Sequence, residues 1–257
     1  MNLRKYKWAL SAGLIFGISS LSGHPQILLY ESLFLILLFV WYFIHDIKNK
    51  ILNGRTIIHF ILAGALPLII AFGIFAIQYL PSQELAKLSR RSEQSFEKAA
   101  EGSLKFKQIY TTITPKLFGF VDGKNDKTAP FHLDDSPYYF YWDTAFYSGL
   151  CALFLGLFGM LTNFKSKEGS FLIFISIFGF LFALGSNFFL FELFYNLPFF
   201  GLLRIPARIM FFFGIGMCLL AGFGFDELSN QIRQTICSVF QCAHISQALS
   251  PCFAMRG

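Results

Sequence analysis

Six long apolar runs constrain this chain more than any other feature. A helix needs about 20 mostly apolar residues to cross the hydrocarbon core of a bilayer. The candidates run from about Trp8 to Leu21, Pro25 to Ile44, Thr56 to Leu80, Asp143 to Thr162, Ser170 to Ser186 and Ala207 to Phe225. An aromatic stretch between the last two, Asn187 to Phe200, carries Glu192 and ends near Pro198, which suits an interfacial or re-entrant helix better than a crossing. Charged residues make up 14% of the 257 positions against roughly 25% in soluble domains, and phenylalanine fills 35 of them. Such a composition excludes a disordered chain and argues against a water-soluble globule. The expected fold class is an all-α polytopic membrane protein: about six transmembrane helices, one interfacial helix and a long outer loop over 81–142.

Charge placement predicts sidedness. With the N-terminus inside, Arg4, Lys5 and Lys7 are cytoplasmic. So are Lys48, Lys50 and Arg55 between the second and third runs, and Lys165 and Lys167 between the fourth and fifth. Every short inside segment is then basic, as the positive-inside rule requires. The outer side receives Gly23-His24-Pro25-Gln26, the segment from Pro81 to Trp142, and Leu203-Arg204-Ile205-Pro206-Ala207-Arg208. A cleaved secretory signal ending near Ser20-Leu21-Ser22 is a rival reading of the N-terminus, and it leaves the rest of the topology unchanged.

The net charge of +6 raises the question of a nucleic-acid partner. The basic residues sit in short clusters beside apolar runs, without any nucleic-acid-binding motif, so membrane lipids are the expected partners and nucleic acid is not. Five cysteines form no CxxC pair and no metal-ligand spacing, and no metal site is expected. No Ser-His-Asp order, Walker loop, HExxH or dinucleotide fingerprint occurs.

The polar residues near the apolar runs are the candidate chemistry. Pro25 suits the first turn of the second helix. His24 and Glu31 either line an outward-facing cavity or act as a helix cap and a carboxylate satisfied by a partner. Arg204 and Arg208 flank Pro206 at the outer start of the last run, where the positive-inside rule disfavours them. Guanidinium groups pair bidentately with phosphate, so these two are candidates for a lipid phosphate or pyrophosphate; the plainer alternatives are ordinary headgroups or the chain's own carboxylates. In the outer segment, Ser82 to Lys107 is polar and helix-compatible, and Ser89-Arg90-Arg91-Ser92 reads as a solvated face. Asp122 to Asp126 reads as a turn, Asp134 and Asp135 lack further ligand spacing, and Tyr138, Tyr139, Tyr141 and Trp142 form an aromatic belt before Asp143.

The order of several segments resembles the YfhO family of bacterial membrane proteins, themselves similar to GT-C glycosyltransferases. They are Gly23-His24-Pro25-Gln26, then Ile77-Gln78-Tyr79-Leu80-Pro81 ahead of Leu88-Ser89-Arg90-Arg91, and Thr114 to Gly119. Tyr141 to Gly149 follows, then Asn196 to Phe200, Leu203 to Arg208 and Ala221-Gly222-Phe223-Gly224. The resemblance covers about Trp8 to Leu228 and implies sugar transfer from a polyprenyl-phosphate donor at the outer face of the bacterial inner membrane, in the service of the cell envelope. An acidic residue in the family's first outer loop serves there as base or metal ligand. No Asp of this chain matches that position, so the expectation is a fragment, inactive alone, with no evident cofactor and a divalent metal relevant only to a full-length relative. The competing expectation is a non-catalytic membrane protein that binds lipid or assists envelope assembly. Transport is weaker, for no internal repeat is evident.

Residues 1–228 are expected to form the membrane domain. At Ser229 the composition changes, with Gln, Ser and three cysteines replacing Phe, Leu and Ile. Residues 229–257 therefore read as an atypical tail, either frameshifted or truncated, or interfacial with Cys237 and Cys242 open to acylation.

Overall fold

The computed structural model describes residues 3–50, 54–87, 95–115, 117, 143, 146–197 and 203–253. All regular structure among these residues is helical. The α-helices are α1 (Leu3–Ser20), α2 (Pro25–Lys48), α3 (Gly54–Lys87), α4 (Phe96–Ala99), α5 (Leu150–Asn163), α6 (Lys167–Ala183), α7 (Phe189–Tyr195) and α8 (Met210–Phe253). Short 3₁₀ turns occupy Phe106–Thr112, Gly185–Asn187 and Pro206–Ile209.

Among the described residues, three stretches are long and apolar enough to cross a membrane: Gln26–Lys48, Ile61–Ser82 and Pro206–Ser238. Their side chains behave accordingly. On α2, Ile36, Val40, Ile44 and Ile47 recur at helical spacing and are all exposed, as are Ile69, Phe72 and Ile77 on α3. Apolar stripes of this extent mark a surface that meets lipid or protein rather than water. The remaining expected spans are shorter as helices: α1 has 18 residues, α6 has 17 and α5 has 14. At seven residues α7 is too short to cross, in keeping with its expected non-spanning character.

Several expected boundaries move. The third run was expected to close at Leu80, yet α3 continues through Pro81 to Lys87. Proline inside a helix forfeits one backbone bond, and α3 tolerates it at both Pro67 and Pro81. The fourth expected run becomes α5, which starts at Leu150, after Gly149 at φ +91°, rather than near Asp143. The run Ser89–Ser92, the turn at 122–126, Asp134, Asp135 and the aromatic positions 138–142 lie outside the described residues.

The chain divides into two compact units, one from Met1–Tyr147 with Ile177–Phe213, the other from Ser148–Ser176 with Gly214–Gly257. In the first, α1 packs on α3. A Cβ at Gly13 would lie 2.8 Å from Pro67 Cα, and one at Gly17 would strike Ile74, so the Gly13-xxx-Gly17 face admits the neighbouring helix closely. The abundance of phenylalanine finds its use in this unit. Tyr30, Phe182, Phe191 and Phe212 are wholly buried. Phe182 meets Phe191 edge to face at 5.4 Å and Phe194 at 5.5 Å, and Phe34 meets Phe212 at 5.6 Å. Edge-to-face pairs of this kind add about 0.5–1.5 kcal/mol each beyond the area they bury.

The described part of the polar segment docks at the C-terminal end of α6. Leu104 N–H donates to Ala183 O at 2.8 Å, and Asn187 Nδ2 donates to Leu104 O at 3.0 Å. Gly185, at φ +54°, receives Ser103 so closely that a Cβ would overlap its hydroxyl. Phe96 closes the join from α4, meeting Phe191 at a tilt and Tyr195 edge to face.

The second unit packs α5 against α8 through glycine. Gly159 and Gly224 each approach the other helix's backbone so closely that a Cβ at Gly159 would overlap Leu220 O, and one at Gly224 Leu155 O. Gly216 likewise faces Ser176 and Leu172 O of α6. α8 passes Ser229 without a break.

Candidate functional site

The polar group in the first unit is built from three segments far apart in sequence. Gln26 lies in the first turn of α2, just after Pro25 at the helix start. Asp143 precedes α5, and Arg208 sits in the 3₁₀ turn that leads into α8. Arg208 Nε donates to Asp143 Oδ1 at 3.0 Å and Nη2 donates to Oδ2 at 3.3 Å, a two-pronged pair. Its Nη1 donates to Gln26 Oε1 at 3.0 Å. The Gln26 amide nitrogen donates in turn to Tyr30 OH at 3.0 Å and to Arg204 O. Tyr30 is wholly buried and Gln26 nearly so, whereas the Arg208 and Asp143 side chains are 27% and 24% exposed.

A strained turn sets this geometry. Ile205 is at φ +54°, ψ +77°, left-handed backbone that a β-branched residue ahead of proline adopts only at a cost of about 1–3 kcal/mol. Bonds on either side hold it: Ile205 N–H donates to Ala99 O at 3.1 Å, and the preceding carbonyl, of Arg204, takes the Gln26 amide. Leu203, Ile205, Pro206 and Ala207 are buried around it. The Arg204 side chain is exposed, with no hydrogen-bond or ion-pair partner among the described residues.

The four sequence candidates are therefore placed differently. Arg208 is committed to one of the chain's own carboxylates, one of the plainer alternatives expected for it. Arg204 keeps its guanidinium outward. Glu31 accepts two bonds from Ser19 Oγ, at 2.9 and 2.8 Å, and so has a partner. His24 caps α2 by position, its carbonyl receiving Ile27 N–H and Leu28 N–H, while its side chain makes no capping bond and is exposed. Neither His24 nor Glu31 shares a hydrogen bond with Arg204 or Arg208 among the described residues.

No family model, curated protein or solved structure matches the chain. Its chemistry is thus read from its own residues. Among the described residues no group of three or more His, Cys, Asp or Glu is placed to hold a metal ion. Two of the described carboxylates are engaged, Asp143 on Arg208 and Glu31 on Ser19. What the group offers is one outward guanidinium on a fixed turn and a second held by a partly exposed carboxylate.

The reading of residues singled out Arg204 and Arg208 but missed Gln26 and Tyr30. Gln26 stood in the sequence as the polar residue after Pro25 at the mouth of an apolar run, a position where an uncharged amide needs a buried partner. That signal marks a need, not the partner.

Proposed function

We propose that this chain is the lipid-handling part of a YfhO-like, GT-C-type membrane glycosyltransferase. It holds the phosphate of a polyprenyl-phosphate sugar donor at the outer face of the bacterial inner membrane, with six spans, α7 at the interface and the N-terminus in the cytoplasm. Arg204 meets the phosphate. The observation that carries the reading is the exposed Arg204 guanidinium on a backbone held at its own carbonyl and at the Ile205 N–H. Further support comes from the meeting of Gln26, Asp143 and Arg204–Arg208, since the three segments that supply them are among those behind the family resemblance. The reading assigns donor binding to this chain and no bond-making step, because no acidic residue here matches the family's catalytic position.

A second reading, a non-catalytic lipid-binding or envelope-assembly protein, is favoured by the commitment of Asp143 to Arg208, which takes that carboxylate out of acid–base work. One experiment addresses both. The purified chain in phosphatidylcholine nanodiscs is titrated with a polyprenyl monophosphate and with its sugar-loaded form. Arg204→Ala should weaken binding about tenfold, the loss of one charge-assisted contact. Equal binding by Arg204→Ala and wild type would remove Arg204 from either reading, and indifference to the sugar would favour the second.

A further inference from the structure

We propose that Asp143 is an internal placeholder for the bound anion. Its carboxylate fills the fork of Arg208, and an organic phosphate arriving at Arg204 displaces it, so that two guanidiniums hold the ligand. The inference rests on the reading of Arg204 as a phosphate contact.

Carboxylate and phosphate present the same pair of oxygens to a guanidinium, so the Nε and Nη2 positions taken by Asp143 are those a phosphate would take. About a quarter of each side chain in the pair is exposed, and exchange therefore needs no opening of the aromatic core. The Nη2 leg, at 3.3 Å, is longer than the Nε leg at 3.0 Å. Arg208 also has an anchor independent of Asp143, since Nη1 donates to the nearly buried Gln26. That bond keeps the guanidinium aimed when the carboxylate leaves. Gln26 binds the Arg204 carbonyl as well, tying both arginines to one side chain. The charge balance points the same way. Arg208 and Asp143 sum to zero while paired, leaving Arg204 as the net cation; displacement presents two positive groups to the phosphate and releases Asp143 to water.

The test uses the full chain in two kinds of nanodisc. Phosphatidylcholine with phosphatidic acid supplies a lipid phosphate, and phosphatidylcholine alone with added inorganic phosphate supplies the free ion. Asp143→Asn, which keeps the shape and one acceptor, should tighten phosphatidic acid binding about tenfold, the contact no longer contested by the carboxylate. Arg204→Ala should weaken binding in both backgrounds. Binding by Asp143→Asn that is unchanged or weaker, with Arg204→Ala still costly, overturns the placeholder and leaves the Arg204 reading in place. No effect of Arg204→Ala overturns that reading and the placeholder with it. A gain seen equally with inorganic phosphate supports the placeholder and assigns the site to the phosphate group rather than to a lipid. Should Asp143→Asn fail to fold, ¹⁵N-arginine-labelled wild type answers the question. The Arg208 Nε resonance should move together with that of Arg204 as phosphatidic acid is added, and movement of Arg204 alone overturns the displacement.

Discussion

Gln26 and Arg208 lie 182 positions apart in the sequence and are hydrogen-bonded at 3.0 Å, which makes one side-chain amide the link between the start of α2 and the turn before α8. The same amide holds the Arg204 carbonyl and the Tyr30 hydroxyl.

Replacing Gln26 with Leu should cost more than its size suggests. It leaves the Arg204 carbonyl and one Arg208 N–H without their partner in a nearly buried place, a penalty of about 1–3 kcal/mol. Arg208→Lys should cost a similar amount, because an ammonium cannot reproduce the two-pronged pair and the third bond together. Thermal unfolding in detergent reads both. A loss below about 0.5 kcal/mol in either would show that water satisfies the group.

The glycines of the second unit separate by location. Gly159→Ala and Gly224→Ala each drive a Cβ into the facing backbone, and the clash should outweigh the gain of up to about 1 kcal/mol from replacing a helical glycine. Gly222→Ala has nothing within 4 Å of its new Cβ and should be neutral or slightly stabilising. Unfolding midpoints of the three variants, measured side by side, decide this; equal shifts would mean that α5 and α8 do not approach so closely.

Gly185 joins the polar segment to α6. Gly185→Ala places a side chain at φ +54° and against Ser103, at an expected cost of about 1–2 kcal/mol from the backbone alone. Trimming the neighbour as well, in Gly185→Ala with Ser103→Ala, should recover part of the loss. A double variant no better than the single one would place the whole cost in the backbone.

The proposed orientation is open to chemical labelling. In a background lacking the native cysteines, Ser95→Cys should react with an impermeant thiol reagent from outside intact cells, and Lys50→Cys only after the inner face is exposed. Both positions are exposed in the structure. The reverse pattern would invert the chain in the membrane.

Much of the helical plan was legible beforehand because bilayer thickness imposes a length on apolar runs. The runs at 25–44, 56–80 and 207–225 correspond to the three stretches among the described residues that are long enough to cross. The start of α2 was legible as well, since Pro25 needs no hydrogen-bond acceptor at a helix's first position. Helix ends were less so: α3 runs past Pro81, because a proline's lost bond is a local cost that the rest of a long helix absorbs. Expected short-range features such as the solvated run at Ser89–Ser92 lie outside the described residues.

The candidate site divides along the same line. Residue type alone marked Arg204 and Arg208 as out of place for the side of the membrane expected of them, and Glu31 as a carboxylate in need of a partner. Which arginine stays outward was not written in either residue, for both carry the same charge and flank the same proline. Tertiary structure decided it. Asp143 and Gln26 arrive from distant segments to take the fork of Arg208, while the left-handed turn at Ile205 leaves Arg204 facing out. A hydrophobic run declares its need for lipid residue by residue, but a partner for a charge is chosen only when the chain folds and brings one within about 3 Å.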